Sequence, residues 1–599
     1  MLIDLRSVAK ELEVETSKTR VTTKARRERE AGVSLFRDLL QRRVPQILGL
    51  YFGASFAIIQ FVQWLIDNYP VSPNLDQFSF VALASMVPTV LLLAYFHGKP
   101  GRDQWTRVEK VGVPVNLLAA VALLFFYFQD KDLGAATKTV TLKDEEGKLI
   151  DRVIPKNEFR KRVAIFYFEN ESGDSTSNWL QYGIPEMLEY DLDQDLYLNV
   201  GAGFYSDLKE AGFEEGIGAP LPLKKKIAGE KHLNYFVTGA FTQKNGTLSI
   251  RTMLYGTERG KLIRENSFSG ADMFALVDSM SVQLRHDLEI PAYHLLSTED
   301  LPVSEILTSS EAAFKEYISS NYESYVRNDY QAAAELLENA IKEDPTFARA
   351  HFRLYSVYRG LNRRDDAEKA IRAAIQHKYK LPERYQFWAK NAYYSIKEQT
   401  QEKIENAKNW VELYPEATEG HHVLAKQYEN MNQLDDAIAE HERIFELDPK
   451  AYHELHHIGE LYREQNEFEQ ALKYYKQYAD QFPEEVGSFK VIGDLYQTMG
   501  DYEGARSSYK RALLIEPEEV SILASLGLIE IKLGNFDQAL ERIEEALSAA
   551  KTPQHRSSAY EHFTAYYTLR GQIAKALEYY DLYFSEMEKF VPPVVLLIA

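Results

Sequence analysis

His453-Glu454-Leu455-His456-His457 has the spacing HExxH, in which two imidazoles one helical turn apart can hold zinc while the glutamate activates a water for hydrolysis. Leu455, Ile458, Gly459 and Tyr462 in the same stretch fit the packed positions of a helix fixed between two neighbours. A hydrolase also needs a third ligand and a cleft, and no further helix outside the repeat frame is placed to supply them. The expectation is ordinary repeat surface with no metal, no cofactor and no catalytic residue. Gly256-Thr-Glu-Arg-Gly260-Lys261 is one residue short of the phosphate-cradling GxxxxGK spacing and falls between two strand-like runs, so a hairpin turn is predicted there. The chain has no cysteine, which removes disulfides, thiol nucleophiles and cysteine metal sites.

A chain of 599 residues is too long for one hydrophobic core, so several folded units must carry these residues. Val44 to Ile66, Phe78 to Phe96 and Val111 to Gln129 contain no charged residue over 23, 19 and 19 positions, each enough to cross roughly 30 Å of hydrocarbon as a helix. Residues 1–43 hold eleven Lys/Arg against seven Asp/Glu, so with a formal charge of −20 everything beyond them sums to −24. An acidic body without a basic stripe excludes nucleic-acid binding as a main task. The Asp67–Gln77 loop has no Lys or Arg, whereas Lys99, Arg102, Arg107 and Lys110 follow the second span. The positive-inside rule then puts the N-terminus in the cytoplasm and residue 130 onward outside it, which in a Gram-negative cell is the periplasm.

Thr139–Leu142 and Lys148–Ile154 read as a stalk hairpin around an Asp/Glu/Gly turn. The apolar run Val163–Phe168, a helix from Trp179 to Asp191, strands Tyr235–Thr242 and Thr247–Tyr255 around Asn245-Gly246, a third strand Leu262–Phe268 and a helix Ala271–Leu288 describe a small α/β domain. Val163-Ala164-Ile165-Phe166-Tyr167-Phe168-Glu169-Asn170, Ser172-Gly173-Asp174, Gly183-Ile184 with Glu186 and Leu188, and Tyr235–Ala240 resemble the TolB amino-terminal-like domain. Tyr167 stands where that family usually has Pro, and Pro185 falls near the helix start. The resemblance implies a fold and no chemistry.

Pro415, Pro449, Pro483 and Pro517 recur at a constant interval of 34, and Pro345, Pro382 and Pro553 extend the series more loosely. That period, with Gly459, Tyr462, Ala471 and Tyr475 in one frame and Gly493, Tyr496, Ala505 and Tyr509 in the next, resembles the tetratricopeptide repeat. About eight helix pairs are predicted from Glu311 to Phe590. The resemblance implies a concave groove lined by the first helix of each pair, with partner-binding positions at His422, Lys426 and Asn430, at His456, Glu460 and Arg463, and at Lys490 and Asp494.

The expected plan is multidomain. A basic cytoplasmic arm (1–43) leads into three transmembrane helices (44–129), a stalk (130–160), the TolB-like α/β domain (161–295), an α-helical tetratricopeptide (TPR) solenoid (305–590) and an apolar tail (591–599). The expected function is a non-enzymatic scaffold in a bacterial inner membrane. It binds protein or peptide partners in the groove and sits in the lipid bilayer, with no nucleic acid and no small-molecule substrate. The alternatives are a signalling component acting with a separate cytoplasmic kinase or cyclase, and a zinc protease resting on HExxH alone.

Overall fold

The computed structural model describes residues 38–98, 104–298 and 300–590. Most of the basic arm, the loop residues Lys99 and Arg102 and the apolar tail lie outside them. Contacts divide the chain into two compact units, Met1–Glu383 and Arg384–Ala599.

The first unit opens with α1 (Val44–Asn68), α2 (Asn74–His97) and α3 (Arg107–Phe128), each long and apolar enough to cross a membrane. Their outer surfaces are apolar: Leu50, Phe56, Leu118 and Phe126 are all exposed. A capping box starts α3, with the Thr106 hydroxyl accepting from the Glu109 amide and Glu109 accepting from the Thr106 amide. Asn116 donates to the Ser85 carbonyl at 3.0 Å and to Thr89 Oγ1 at 2.8 Å, which ties α3 to α2. Ser72 N donates to Gly134 O and Ala136 N to Pro70 O, both at 2.9 Å. The α1–α2 loop and the chain leaving α3 therefore sit at the same end of the three helices.

Beyond them β1 (Thr137–Lys143) and β2 (Leu149–Pro155) form an antiparallel hairpin. The larger sheet uses β3 (Lys161–Ile165), β4 (Glu169–Asn170), β5 (Leu198–Ala202), β6 (Tyr235–Lys244), β7 (Thr247–Gly256) and β8 (Lys261–Gly270), in the order β5-β3-β6-β7-β8 with β4 beside β6. β3 runs parallel to β5 and β6, while β6, β7 and β8 are an antiparallel meander. Gly256 to Lys261 is the turn between β7 and β8. Among the elements without a sequence expectation are β5, a short edge strand containing Gly201, and the short helices α5 (Tyr205–Glu210) and α6 (Leu221–Glu230), which follow α4 (Leu180–Leu192).

Pro185 lies inside α4 without ending it. A proline leaves the carbonyl one turn back without a donor, and here Gln181 O accepts instead from Phe168 N at 3.1 Å. The Phe168 ring in turn covers Gly239, where a Cβ would lie 2.3 Å from it, so only glycine fits under that ring. At the other end of α4 the buried Asp191 accepts from Gln194 Nε2 at 2.9 Å. Burial pushes the Asp191 carboxyl up to about 7, against the pull of Arg285. α7 (Met273–Asp287), α8 (Ala292–Ser297) and α9 (Val303–Ile306) close this part.

Among the described residues sixteen helices then form eight pairs. Two pairs lie in the first unit: α10 (Glu311–Tyr325) with α11 (Tyr330–Glu343) and α12 (Ala348–Gly360) with α13 (Arg364–Gln376). The others are α14 (Glu383–Ile396) with α15 (Thr400–Leu413), α16 (Thr418–Asn430) with α17 (Leu434–Leu447), α18 (His453–Glu464) with α19 (Phe468–Gln481), α20 (Val486–Met499) with α21 (Tyr502–Ile515), α22 (Val520–Lys532) with α23 (Phe536–Ala549), and α24 (Pro553–Leu569) with α25 (Ile573–Met587). α11, α15, α17, α19 and α21 each stop just short of a proline, because the residue preceding Pro is driven out of helical geometry. Inside each pair the turn holds one left-handed residue: Asn328, Asn362, Glu398, Asn432, Asn466, Gly500, Gly534 and Gly571, with φ between 56 and 81°. Asn and Gly tolerate that conformation best, so this series is a second, unread signal of the same period.

Candidate functional site: a histidine and carboxylate cluster in the repeat groove

In the second unit α16 and α18 are the first helices of successive pairs, and α17 packs behind both. Leu455 and Ile458 are 3% and 1% exposed and Gly459 is buried, so the core assignment of this helix holds. Core packing at those positions turns the opposite face of α18 toward α16. The HExxH segment is nevertheless not plain surface. Glu454 is 0% exposed, because it points inward to His441 on α17.

His441 Nδ1 lies 2.5 Å from Glu454 Oε2 and His441 Nε2 lies 3.0 Å from Glu429 Oε1, so both ring nitrogens face carboxylates, an arrangement that favours the protonated ring. Burial alone would lower the His441 pKa, but those two hydrogen bonds outweigh it and raise it. Burial would likewise raise Glu454 and Glu429, and the hydrogen bonds from His441, with Lys426 also acting on Glu429, bring both below the usual carboxylate range. The His457 ring stacks on His441 at 5.4 Å, and burial followed by the His441 charge keeps its pKa low.

Four of the expected groove residues, His422, Lys426, Asn430 and Glu460, line one cavity of about 690 Å³ together with Glu429, His441, His453, Glu454 and His457. His456, Arg463, Lys490 and Asp494 are not among its lining. His456 packs on the Tyr475 and Tyr478 rings at 5.5 and 5.4 Å, with Nδ1 3.9 Å from Glu460. Lys490 pairs with Asp494 at 2.7 Å, and Asp494 also accepts from the Tyr509 hydroxyl at 2.7 Å. Lys426 pairs with Glu429 at 2.7 Å. Two of the three Lys and Arg side chains expected to meet a partner, Lys426 and Lys490, are thus already paired with carboxylates of their own helices. Sequence reasoning missed Glu429 and His441, and it missed that His422, on the preceding pair, faces Glu454 beside His453. The signal was present: offsets near the repeat period bring positions on successive first helices side by side.

The family profile described as tetratricopeptide repeat matches residues 327–386 and 497–559, and a second profile of the same description matches 455–485. No curated protein matches the sequence. Among solved structures the chain is similar to the C-terminal part of a TPR repeat-containing protein from Cytophaga hutchinsonii, at 16% identity over 45% of this chain and 94% of that one, with a TM-score of 0.29. YrrB, a TPR protein with an unusual peptide-binding site, shares 18% identity over 32% of this chain and 98% of its own (TM-score 0.27), and MamA shares 19% over 29% and 94% (TM-score 0.26). Residues 327–386, 455–485 and 497–559 thus match tetratricopeptide repeats, and the paired helices that contain them form a TPR-like helical solenoid.

Proposed function

We propose that the protein is a non-enzymatic scaffold anchored in a bacterial inner membrane, whose groove on α16, α18 and α20 binds an extended or helical segment of a protein partner. The observation that carries this is the open, polar groove: His422, Lys426, Asn430 and Glu460 present donors and acceptors from successive first helices, the arrangement that peptide recognition uses. His456, Arg463, Lys490 and Asp494 extend it along the same helices. Three long apolar helices support the anchor. The flanking Lys/Arg asymmetry supports a cytoplasmic N-terminus and extracytoplasmic α/β domain and repeats. The pairing of the α1–α2 loop with residues 134–136 is consistent with that odd number of spans. The six-stranded part is read as TolB amino-terminal-like, on the residues quoted above.

Two measurements test this. A reporter active only outside the cytoplasm, fused after Lys161 or after Arg102, is expected to work in the first fusion and fail in the second; the reverse pattern sinks the extracytoplasmic assignment. A photocrosslinking residue at Asn430 of the full chain in cells is expected to capture one protein partner. Capture only from positions on the β6–β8 meander would move the binding surface out of the groove.

A further inference from the structure

Glu454 leaves one oxygen unaccounted for. Its Oε2 is fixed by His441, while Oε1 is buried and accepts no hydrogen bond. His453 Nε2 lies 2.8 Å from Oε1 but without hydrogen-bond alignment, and His422 Nε2 approaches the same oxygen to 3.8 Å from α16. The three donor atoms all lie within 4.8 Å of one another. A buried carboxylate oxygen that accepts no hydrogen bond is costly, and a cation held between it and the two imidazoles removes that cost.

We propose that His422, His453 and Glu454 form a site for a divalent transition ion of the zinc type, tying α16 to α18. Two imidazole nitrogens and one carboxylate oxygen are the donor set such ions prefer. Ligand bonds of about 2.0–2.2 Å in a tetrahedron set neighbouring donors roughly 3.3 Å apart. The present 2.8 and 3.8 Å bracket that spacing. Glu454 cannot move, but the two imidazole side chains are 62% and 46% exposed and can rotate to close the difference. His441, itself braced by Glu429, holds the carboxylate in place as an outer partner. Three protein donors leave a fourth position facing the groove.

This site is built differently from the one HExxH implies. The second histidine of the motif, His457, stacks on His441 and does not join the set, and the glutamate is a ligand rather than a base. The ion therefore ties two repeats together through His422 on one and His453 and Glu454 on the next, and the proposal stands whether or not a partner binds the groove.

The test uses the full chain in detergent micelles, without a polyhistidine tag, stripped with a chelator and then titrated with Zn²⁺ alone or Co²⁺ alone. Equilibrium dialysis with elemental analysis counts the ions, and visible Co²⁺ absorption reports the ligand field. One ion per chain is expected. His422→Ala and His453→Ala should each weaken binding by roughly 100-fold or more, since even an outer-shell loss costs about 10–100-fold. His457→Ala should weaken binding far less than either ligand variant, since His457 stacks on His441 behind the carboxylate and supplies no donor to the set. Both altered ligands are substantially exposed, so the variants should keep wild-type helicity by circular dichroism. Absence of stoichiometric binding, or binding retained in His422→Ala, overturns the proposal, and dependence on His457 in place of His422 overturns it in favour of the motif's own histidine pair.

Discussion

A Cβ built on Gly459 would lie 2.6 Å from the ring of Tyr475, and one repeat later a Cβ built on Gly493 would lie 2.5 Å from the ring of Tyr509. Tyr475 and Tyr509 are 1% and 0% exposed and cannot swing away, so each glycine sets how closely the two helices of its pair approach.

Gly459→Ala therefore separates two opposing effects. Alanine gains about 1 kcal/mol of helix propensity, while overpacking of a tight core costs about 1–3 kcal/mol. A net loss is expected, seen as faster amide hydrogen exchange in α18 and α19. Gly487, whose nearest neighbour is the Glu485 carboxylate at 3.6 Å, is the control: Gly487→Ala should be neutral or stabilising. Equal effects at both positions would refute the packing account.

Asp191 supplies a pH dependence. Its folded pKa is raised from 3.8 to about 7, so its contribution is fully present below pH 3.8 and is lost as pH rises through 7, where the fold must hold a buried charge. Asp191→Asn removes the titration. The variant should exceed wild type in stability by about 2–4 kcal/mol at pH 8, with the gain fading toward pH 4, in calorimetric unfolding of the full chain in micelles. A difference independent of pH would show that Asp191 is not the titrating group.

Glu186 couples the sheet-bearing part to the first repeats within the first unit. The Tyr317 hydroxyl donates to Glu186 Oε1 at 2.6 Å, and Arg349 Nε donates to the Tyr317 hydroxyl oxygen at 3.0 Å. Tyr317 is 0% exposed, so Glu186→Ala strands a buried donor at a cost of about 1–3 kcal/mol. Exchange should quicken in α10 and α12 and remain unchanged in α22. Protection of α10 at the wild-type level would show that the contact carries no coupling.

Charge reversal tests the groove. Lys426→Glu, Arg463→Glu and Lys490→Glu together should weaken a captured partner by about 2–5 kcal/mol with helicity unchanged. Because Lys426 and Lys490 are engaged by Glu429 and Asp494, Glu429→Gln with Asp494→Asn should free both cations and tighten the same partner. If the triple variant binds as tightly as wild type, the meander edge at β8 is the next surface to examine.

Periodic features were legible in the sequence because they are local. Long charge-free runs give three apolar helices whatever surrounds them, and Pro345, Pro415, Pro449, Pro483 and Pro517 end helices through their own backbone chemistry. The meander was equally readable, since Asn245-Gly246 closes β6 onto β7 without help from distant residues. Other features needed the folded chain. A short parallel edge strand such as β5 pairs with β3 across a helix and carries no turn of its own, so nothing near it in sequence announces it. Pro185 sits within α4 only because Phe168, which precedes the helix in the chain, reaches the freed carbonyl of Gln181. Glu454 read as surface because the repeat pattern fixes which face of α18 packs, but not that His441 draws a carboxylate inward. The meeting of His422, His453 and Glu454 is tertiary for the same reason: the repeat period sets the order of the helices, while the angle at which successive pairs pack decides which side chains touch across them.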